Sequence, residues 1–170
     1  LGEYAKRFPL LEHLSWSHHT PLEHHLSVSA IPVPPRDVFD SEKDLLTAGG
    51  EAELSAAVAE RYGVPAECVL PTAGLSEGLY VVAHAVIEPG DFALVETPGY
   101  QSLAGVARAA GATVRPLARG LDGSLEPEGA ATAVHRAAEE ARAAGRRLAL
   151  VLASDLHNPT SARLPDAAVD

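Results

Sequence analysis

Two short runs without a polar residue, Phe92-Ala-Leu-Val95 and Leu148-Ala-Leu-Val-Leu152, constrain the fold more than any other feature of this chain. Successive side chains of a strand point to opposite faces, so a strand apolar at every position is covered on both sides. That is the condition of a parallel sheet with helices above and below it. The segments between the runs have helical period instead. Leu75 to Ile87 is apolar at 75, 79, 82, 83, 86 and 87; Tyr100 to Ala110 ends at Gly111, and Pro127 to Ala144 at Gly145. Upstream, Ala52 to Tyr62 is apolar at 54, 57, 58 and 62 and closes on Gly63. Cys68-Val-Leu70 and Thr113 to Leu117 read as two further strands, and Glu88-Pro-Gly-Asp91 as a turn. From residue 68 the order is strand, helix, strand, helix, strand, helix, strand. It predicts a three-layer, doubly wound α/β sheet with right-handed crossovers.

Residues 1–48 read as an arm and linker ahead of this unit, which occupies 49–170. Prolines at 32, 34 and 35 forbid a helix in the extended stretch Leu26 to Pro35, and Pro9 weakens a short one over Glu3 to Leu14. The whole chain of 170 residues, 46% hydrophobic and 21% charged, has a globular composition. Its net charge of −10 argues against nucleic acid and anionic membrane surfaces, because phosphates are repelled. Cys68 stands alone, so neither an internal disulfide nor a cysteine-rich zinc site is expected. No apolar run approaches the roughly 20 residues that span a bilayer, and the charged N-terminus is unlike a signal peptide. A cytoplasmic location is the default expectation. The absence of methionine and the abrupt end at Asp170 lead us to expect a processed chain or a fragment.

In sheets of this kind ligands sit beyond the carboxyl ends of the strands, so the segments that leave those ends matter most. After the first expected strand, Pro71-Thr-Ala-Gly-Leu-Ser-Glu-Gly78 leads directly into a helix. Leu75 and Ser76 there present backbone N–H groups at the positive end of the helix dipole, an arrangement that suits a phosphate. Ser76 and Glu77 are equally ordinary first-turn helix residues. Neither G-x-G-x-x-G nor G-x-x-x-x-G-K-[ST] occurs, which disfavours dinucleotides and P-loop nucleotides. After the second strand, Pro98 and Gly99 form a turn that projects Tyr100 over the sheet end, where its ring can stack on a flat group or simply pack at a helix start. After the last strand, Asn158 precedes Pro159, so its amide is held out of helical geometry and can read a ring oxygen, unless the pair is plain loop punctuation.

The histidines His13, His18, His19, His24 and His25 do not have the spacing of ligands on one helix face, so no metal site is expected and a solvated arm or a rim role is favoured. His84 reads as structural within a helix and His135 as exposed.

The ordered set of motifs at these strand ends is similar to the class I and II aminotransferases, which are fold-type I pyridoxal-phosphate enzymes. The resemblance is carried by Pro71-Thr-Ala-Gly-Leu-Ser-Glu-Gly-Leu-Tyr80, Glu88-Pro-Gly-Asp91, Val95-Glu-Thr-Pro-Gly-Tyr100 and Asp155-Leu-His-Asn-Pro-Thr160. Gly50-Glu-Ala-Glu-Leu-Ser55 with Glu60-Arg-Tyr-Gly63 resembles the helix that precedes the cofactor domain. The resemblance implies that residues 49–170 are the first part of the large domain, with pyridoxal 5'-phosphate as cofactor. It implies that Leu75 and Ser76 hold the phosphate, Tyr100 stacks on the pyridine ring and Asn158 hydrogen-bonds its phenolic oxygen. Leu26 to Pro35 would lie near the substrate carboxylate or a dimer contact. The expected activity is transfer of an amino group between an amino acid and a 2-oxo acid, in a homodimer.

The chain also departs from the family. The Schiff-base lysine, the aspartate that pairs with the pyridine nitrogen and the substrate-binding arginine fall beyond Asn158 in the family and are not expected within this chain. Lys6 and Lys43 match no catalytic lysine, so no catalytic residue is assigned and the chain by itself is expected to be inactive. A tyrosine that commonly reaches the partner subunit's phosphate is replaced at or near Leu45, and Ser161 stands where glycine is usual. Two alternatives stay open: another fold-type I enzyme (a lyase, decarboxylase or synthase), or an effector-binding domain of a regulator.

Overall fold

The computed structural model describes residues 50–168, which fall into two compact units, 50–73 and 74–168. The expected arm over 1–48, with Leu26 to Pro35, the histidine cluster, Lys6, Lys43 and Leu45, lies outside the described residues.

In the first unit, α1 (Gly50–Tyr62) carries Glu51 and Glu53 in its first turn and Arg61 in its last, which suits the helix dipole. It stops at Gly63, whose φ of +65° ends the helical run. The expected apolar stripe is not its buried face: Leu54 and Tyr62 are exposed, and Ala59 is the buried residue. The strand expected over Cys68 to Leu70 is also absent. Ala66–Cys68 forms a 3-10 turn, and Val69 is extended (φ −110°, ψ 116°) without belonging to a sheet. An extended trio becomes a strand only through its ladder, and no described segment pairs with it.

The second unit contains α2 (Leu75–Val86), β1 (Phe92–Thr97), α3 (Gln101–Ala109), β2 (Thr113–Ala118), α4 (Pro127–Ala143), β3 (Leu148–Leu152) and a final 3-10 turn at Asp166–Ala168. The three strands form one parallel sheet in the order β2-β1-β3. Phe92 pairs with Thr113 on one side and Leu148 on the other, and Ala93 already pairs with Leu150, so Ala149 is an extra residue in the ladder.

The all-apolar central strand serves two cores. Ala93 and Val95 face a cluster with Ala83 and Ile87 from the α2 segment and Leu103, Val106, Ala107 and Ala110 from the α3 segment. Leu94 faces the opposite cluster with Leu117, Leu125, Ala130 and Ala137, where α4 packs. The sheet therefore lies between helices, as the apolar run of β1 requires, whereas β3, expected to be covered on both sides, is only partly buried and exposes Val151 at the margin of the sheet. Helix α4 starts at Pro127, a residue suited to the first helical position, and Arg115 of β2 makes a bidentate ion pair with its Glu140. No described helix is long and apolar enough to cross a membrane.

At the amino ends of the strands Asp91, 3% exposed, ties three segments together. Its Oδ2 accepts from the Glu88 amide at 3.0 Å and from Arg147 Nε at 2.9 Å. Arg147 Nη2 also donates to Val86 O, the end of α2. Burial opposes ionisation of Asp91, but the Glu88 amide and the Arg147 guanidinium outweigh it and hold the carboxyl below its usual 3.8. A depressed carboxylate contributes stability that is full above its unfolded pKa and lost as pH falls through the folded one. Replacing Asp91 by Asn should cost about 1–3 kcal/mol at neutral pH. In urea melts the gap between the variant and the natural protein should shrink as pH falls below about 4; a gap independent of pH would show that Asp91 does not act as an anion.

Candidate functional site

The chain leaves β1, builds β2 on one side, and returns through α4 to place β3 on the other. This makes the boundary between β1 and β3 the topological switch point, where the two loops beyond the strands diverge and leave a crevice. Gly99, Tyr100 and Gln101 from the first loop and Asn158 and Pro159 from the second line a cleft of about 290 Å³ there. The two loop residues expected to hold a ring, Tyr100 and Asn158, thus face one cavity. Tyr100 is the N-cap of α3 and packs partly against the core behind it, while Asn158 is exposed. The peptides Thr97–Pro98 and Asn158–Pro159, one in each loop, are both cis.

Leu75 and Ser76 open α2, with Gly74 at φ +88° as its N-cap. Both are exposed. The other end of α2 is fixed at the amino edge of the sheet by the bond from Arg147 to Val86. Twelve helical residues rise about 18 Å, close to the roughly 20 Å of a six-residue strand. A helix of that length is long enough for its first turn to reach the carboxyl edge, although Leu75 and Ser76 are not among the residues that line the cleft with Tyr100 and Asn158. The first amides of a helix have no acceptor within it, so Leu75 and Ser76 can offer theirs to a ligand.

Below the crevice lies a polar network that the sequence motifs did not reveal. Glu96, at the end of β1, and Arg119, just past β2, form an ion pair at 2.8 Å with both side chains fully buried. Arg119 also donates to Gly123 O at 2.8 Å and to Ser154 O at 2.7 Å. Glu96 in turn accepts from the Ser154 amide at 2.9 Å and its hydroxyl at 2.6 Å. Among the described residues no buried side-chain polar atom lacks a hydrogen-bond partner. Glu96 was visible in the sequence as the lone charge closing an apolar run, and Arg119 as the first charge after the next strand. Their pairing comes from the parallel register, in which Thr97 lies beside Ala118. His157, 2% exposed, was also missed as a buried residue.

His84 is exposed on α2, donating through Nδ1 to Tyr80 O at 2.9 Å and stacking on the Tyr80 ring at 3.9 Å. His135 is exposed on α4 and Cys68 is an exposed free thiol. Among the described residues no group of three or more His, Cys, Asp or Glu could hold a metal ion. Ser161, at φ +59°, occupies left-handed backbone, the conformation for which glycine is suited.

A two-faced parallel sheet with an aromatic ring and an amide meeting at its switch point defines an α/β domain of the ligand-binding kind. Residues 23–169 match the model of aminotransferase class I and II, and the chain belongs to that family, whose members depend on pyridoxal phosphate. A capreomycidine synthase of Streptomyces vinaceus is 37% identical over 115 residues, 66% of this chain and 27% of its own length. An aspartate aminotransferase tetra mutant of Thermus thermophilus superposes with a TM-score of 0.58 at 25% identity, over 69% of this chain and 32% of its own. An alpha-aminoadipate aminotransferase of Thermus thermophilus, complexed with N-(5'-phosphopyridoxyl)-L-leucine, does so with a TM-score of 0.51 at 30% identity, over 69% and 28%. The chain thus spans about a quarter to a third of the length of these relatives.

Two substitutions test the scaffold beneath the crevice. Glu96→Gln leaves the buried Arg119 charge without its counterion and should cost about 3–5 kcal/mol. The double replacement with Arg119→Met should cost less than the two single changes summed, as equilibrium melts of the intact protein would show. Ser161→Gly relieves left-handed backbone and should instead stabilise by about 0.5–1 kcal/mol; a loss on the same melts would contradict that account.

Proposed function

We propose that the protein is a pyridoxal-phosphate enzyme that moves an amino group between an amino acid and a 2-oxo acid, with residues 49–170 as the first part of its cofactor-binding domain. The observation that carries this reading is the single cleft shared by Tyr100 and Asn158 at the switch point. An aromatic face and a neutral amide with both donor and acceptor suit a flat ring bearing an oxygen, so the residues present fit the cofactor.

In this reading Leu75 and Ser76 bind the phosphate through their amides, with the Ser76 hydroxyl as a further donor. Tyr100 covers one face of the ring and keeps water from it. The Asn158 amide donates to the ring oxygen and so holds charge on it. The buried Glu96 and Arg119 keep the two loops in place without touching the ligand. The cofactor, when bound, supplies the electron sink that stabilises a carbanion at the amino acid's α-carbon. We place the lysine that anchors it outside residues 1–170, in keeping with the share of the relatives' length that the chain spans. A homodimer is the assembly proposed for the intact enzyme.

One observation favours a second reading, a synthase that uses the same cofactor without a 2-oxo acid: the identity to a capreomycidine synthase, 37%, exceeds the 25% and 30% to the two aminotransferases. Assays of the intact protein with amino acids, in the presence and absence of a 2-oxo acid, separate the two. Amino acid consumed only together with a 2-oxo acid supports transfer; consumption without one supports the synthase. Cofactor affinity, read by fluorescence, should fall about tenfold in Tyr100→Ala and in Asn158→Ala and stay within about threefold in Tyr100→Phe. Unchanged affinity in both alanine variants would remove the cleft from the site.

A further inference from the structure

His157 sits directly beside Asn158, yet its ring turns away from the cleft into the protein. Its Nε2 lies 2.8 Å from Pro98 O and its Nδ1 2.8 Å from Thr160 Oγ1. A carbonyl oxygen can only accept, so Nε2 carries the proton and donates to Pro98. In the neutral ring Nδ1 then accepts from the Thr160 hydroxyl, whose oxygen accepts in turn from the Ala162 amide at 3.3 Å. The backbone of His157 is bonded as well, its N–H to Ala162 O at 2.9 Å and its C=O from the Ser161 amide at 2.6 Å.

The pocket around this ring has no slack. Gly123 has φ +83°, and a Cβ built on it would stand 2.6 Å from His157 Nδ1 and 1.9 Å from Thr160 Oγ1. Only a glycine lets the turn after β2 close on the histidine. The same glycine's carbonyl accepts from Arg119, so the ring is continuous with the ion pair under the crevice. Each residue of the Pro98–His157 bond stands next to a wall of the cleft: Pro98 two residues before Tyr100, His157 one before Asn158.

We propose that His157 is a positioning residue for the ring site. By donating Nε2–H to Pro98 it fixes the distance between Tyr100 and Asn158, and thereby the width of the slot that accepts a flat ring. This rests on the cofactor reading above for what the slot holds. The coupling of the two loops itself stands on the geometry. Without the histidine's donor the two walls would keep only the tie of Ser154 to Glu96 at the loop bases, since the bond from His157 to Pro98 is the side-chain hydrogen bond that joins residues 155–162 to residues 98–101.

The test uses the intact protein and two variants at this position. His157→Phe keeps the ring's bulk and loses the donor; His157→Gln places an amide nitrogen near the Nε2 position and keeps it. Three readouts are taken: ring nitrogen shifts in the natural protein, amide hydrogen exchange at Leu103 and Ser161, whose N–H groups donate to Tyr100 O and His157 O, and the dissociation constant for pyridoxal phosphate. We expect an Nε2–H ring, exchange at these two amides at least about tenfold faster in His157→Phe, cofactor affinity about tenfold weaker in it, and both effects largely reversed in His157→Gln. Equal exchange at Leu103 and Ser161 in the natural protein and His157→Phe, or an Nδ1–H ring, would overturn the proposal. So would a loss in His157→Gln as large as in His157→Phe, which would mean that bulk and packing, not the donor, matter. If His157→Phe does not fold, the natural protein still decides: a His157 Nε2 proton that exchanges slowly with water upholds the bond to Pro98, and one that exchanges at the rate of a free imidazole overturns it. A natural protein that binds no pyridoxal phosphate would instead remove the cofactor reading, and the exchange data would then decide the loop coupling alone.

Discussion

The carboxyl edge of the sheet depends on one buried ion pair. Glu96 and Arg119 are brought to the ends of adjacent strands, where withdrawing two charges from water costs several kcal/mol for each before their attraction is counted. That cost is offset because each side-chain nitrogen and oxygen of the pair has a hydrogen-bond partner. Arg119 reaches three separate segments, the end of β1, the turn at Gly123 and the chain past β3, while Glu96 binds Arg119 and both donors of Ser154. Such a pair contributes little net stability against a well-packed apolar alternative. Its value lies in geometry, because an apolar filling would tolerate many arrangements of three loops and this one tolerates few.

The crevice inherits that precision. Parallel strands leave their loops on one edge, and the reversal of strand order about β1 leaves two of those loops without a neighbour between them. Apolar packing of Tyr100 from behind and the polar network from below then determine where the cleft's walls stand. A precise cleft needs walls whose supports are themselves held, and here the supports are buried while Tyr100 is half-buried and Asn158 exposed. Glu96, the carboxylate beneath the cleft, is paired with Arg119 within the network.

How much of this was legible in the sequence depends on the range of the interactions involved. Phe92 to Val95 is self-announcing, because burial on both faces leaves no room for a polar residue; Leu148 to Leu152 is equally apolar, yet it lies at the sheet's margin with no residue fully buried among the described ones and Val151 44% exposed. Helix ends at Gly63, Gly111 and Gly145 were equally local, and all three take positive φ. The expected strand at Cys68 to Leu70 fails because a strand is a relation between segments, which three residues cannot encode alone. Tyr100 and Asn158 could be placed at strand ends by pattern, and their shared cleft required only the strand order. Glu96 with Arg119 could not be paired by spacing, since 23 residues and a whole helix separate them. His157 was passed over because histidine is ordinarily half-exposed, and only the fold shows a glycine turn closing over it.

The two rims of the sheet differ in kind. β2 carries Pro116, a residue that sheets admit at their margins, and its Arg115 is engaged with α4. β3 is Leu148-Ala-Leu-Val-Leu152, with neither proline nor charge, and among the described residues it is hydrogen-bonded on one side only. A bare rim of amides and carbonyls beside greasy side chains recruits any extended segment that matches its spacing. Of the two margins, β3 is therefore the one whose spacing and surface suit a further strand, and the one where mispairing between copies would begin if it were left uncovered.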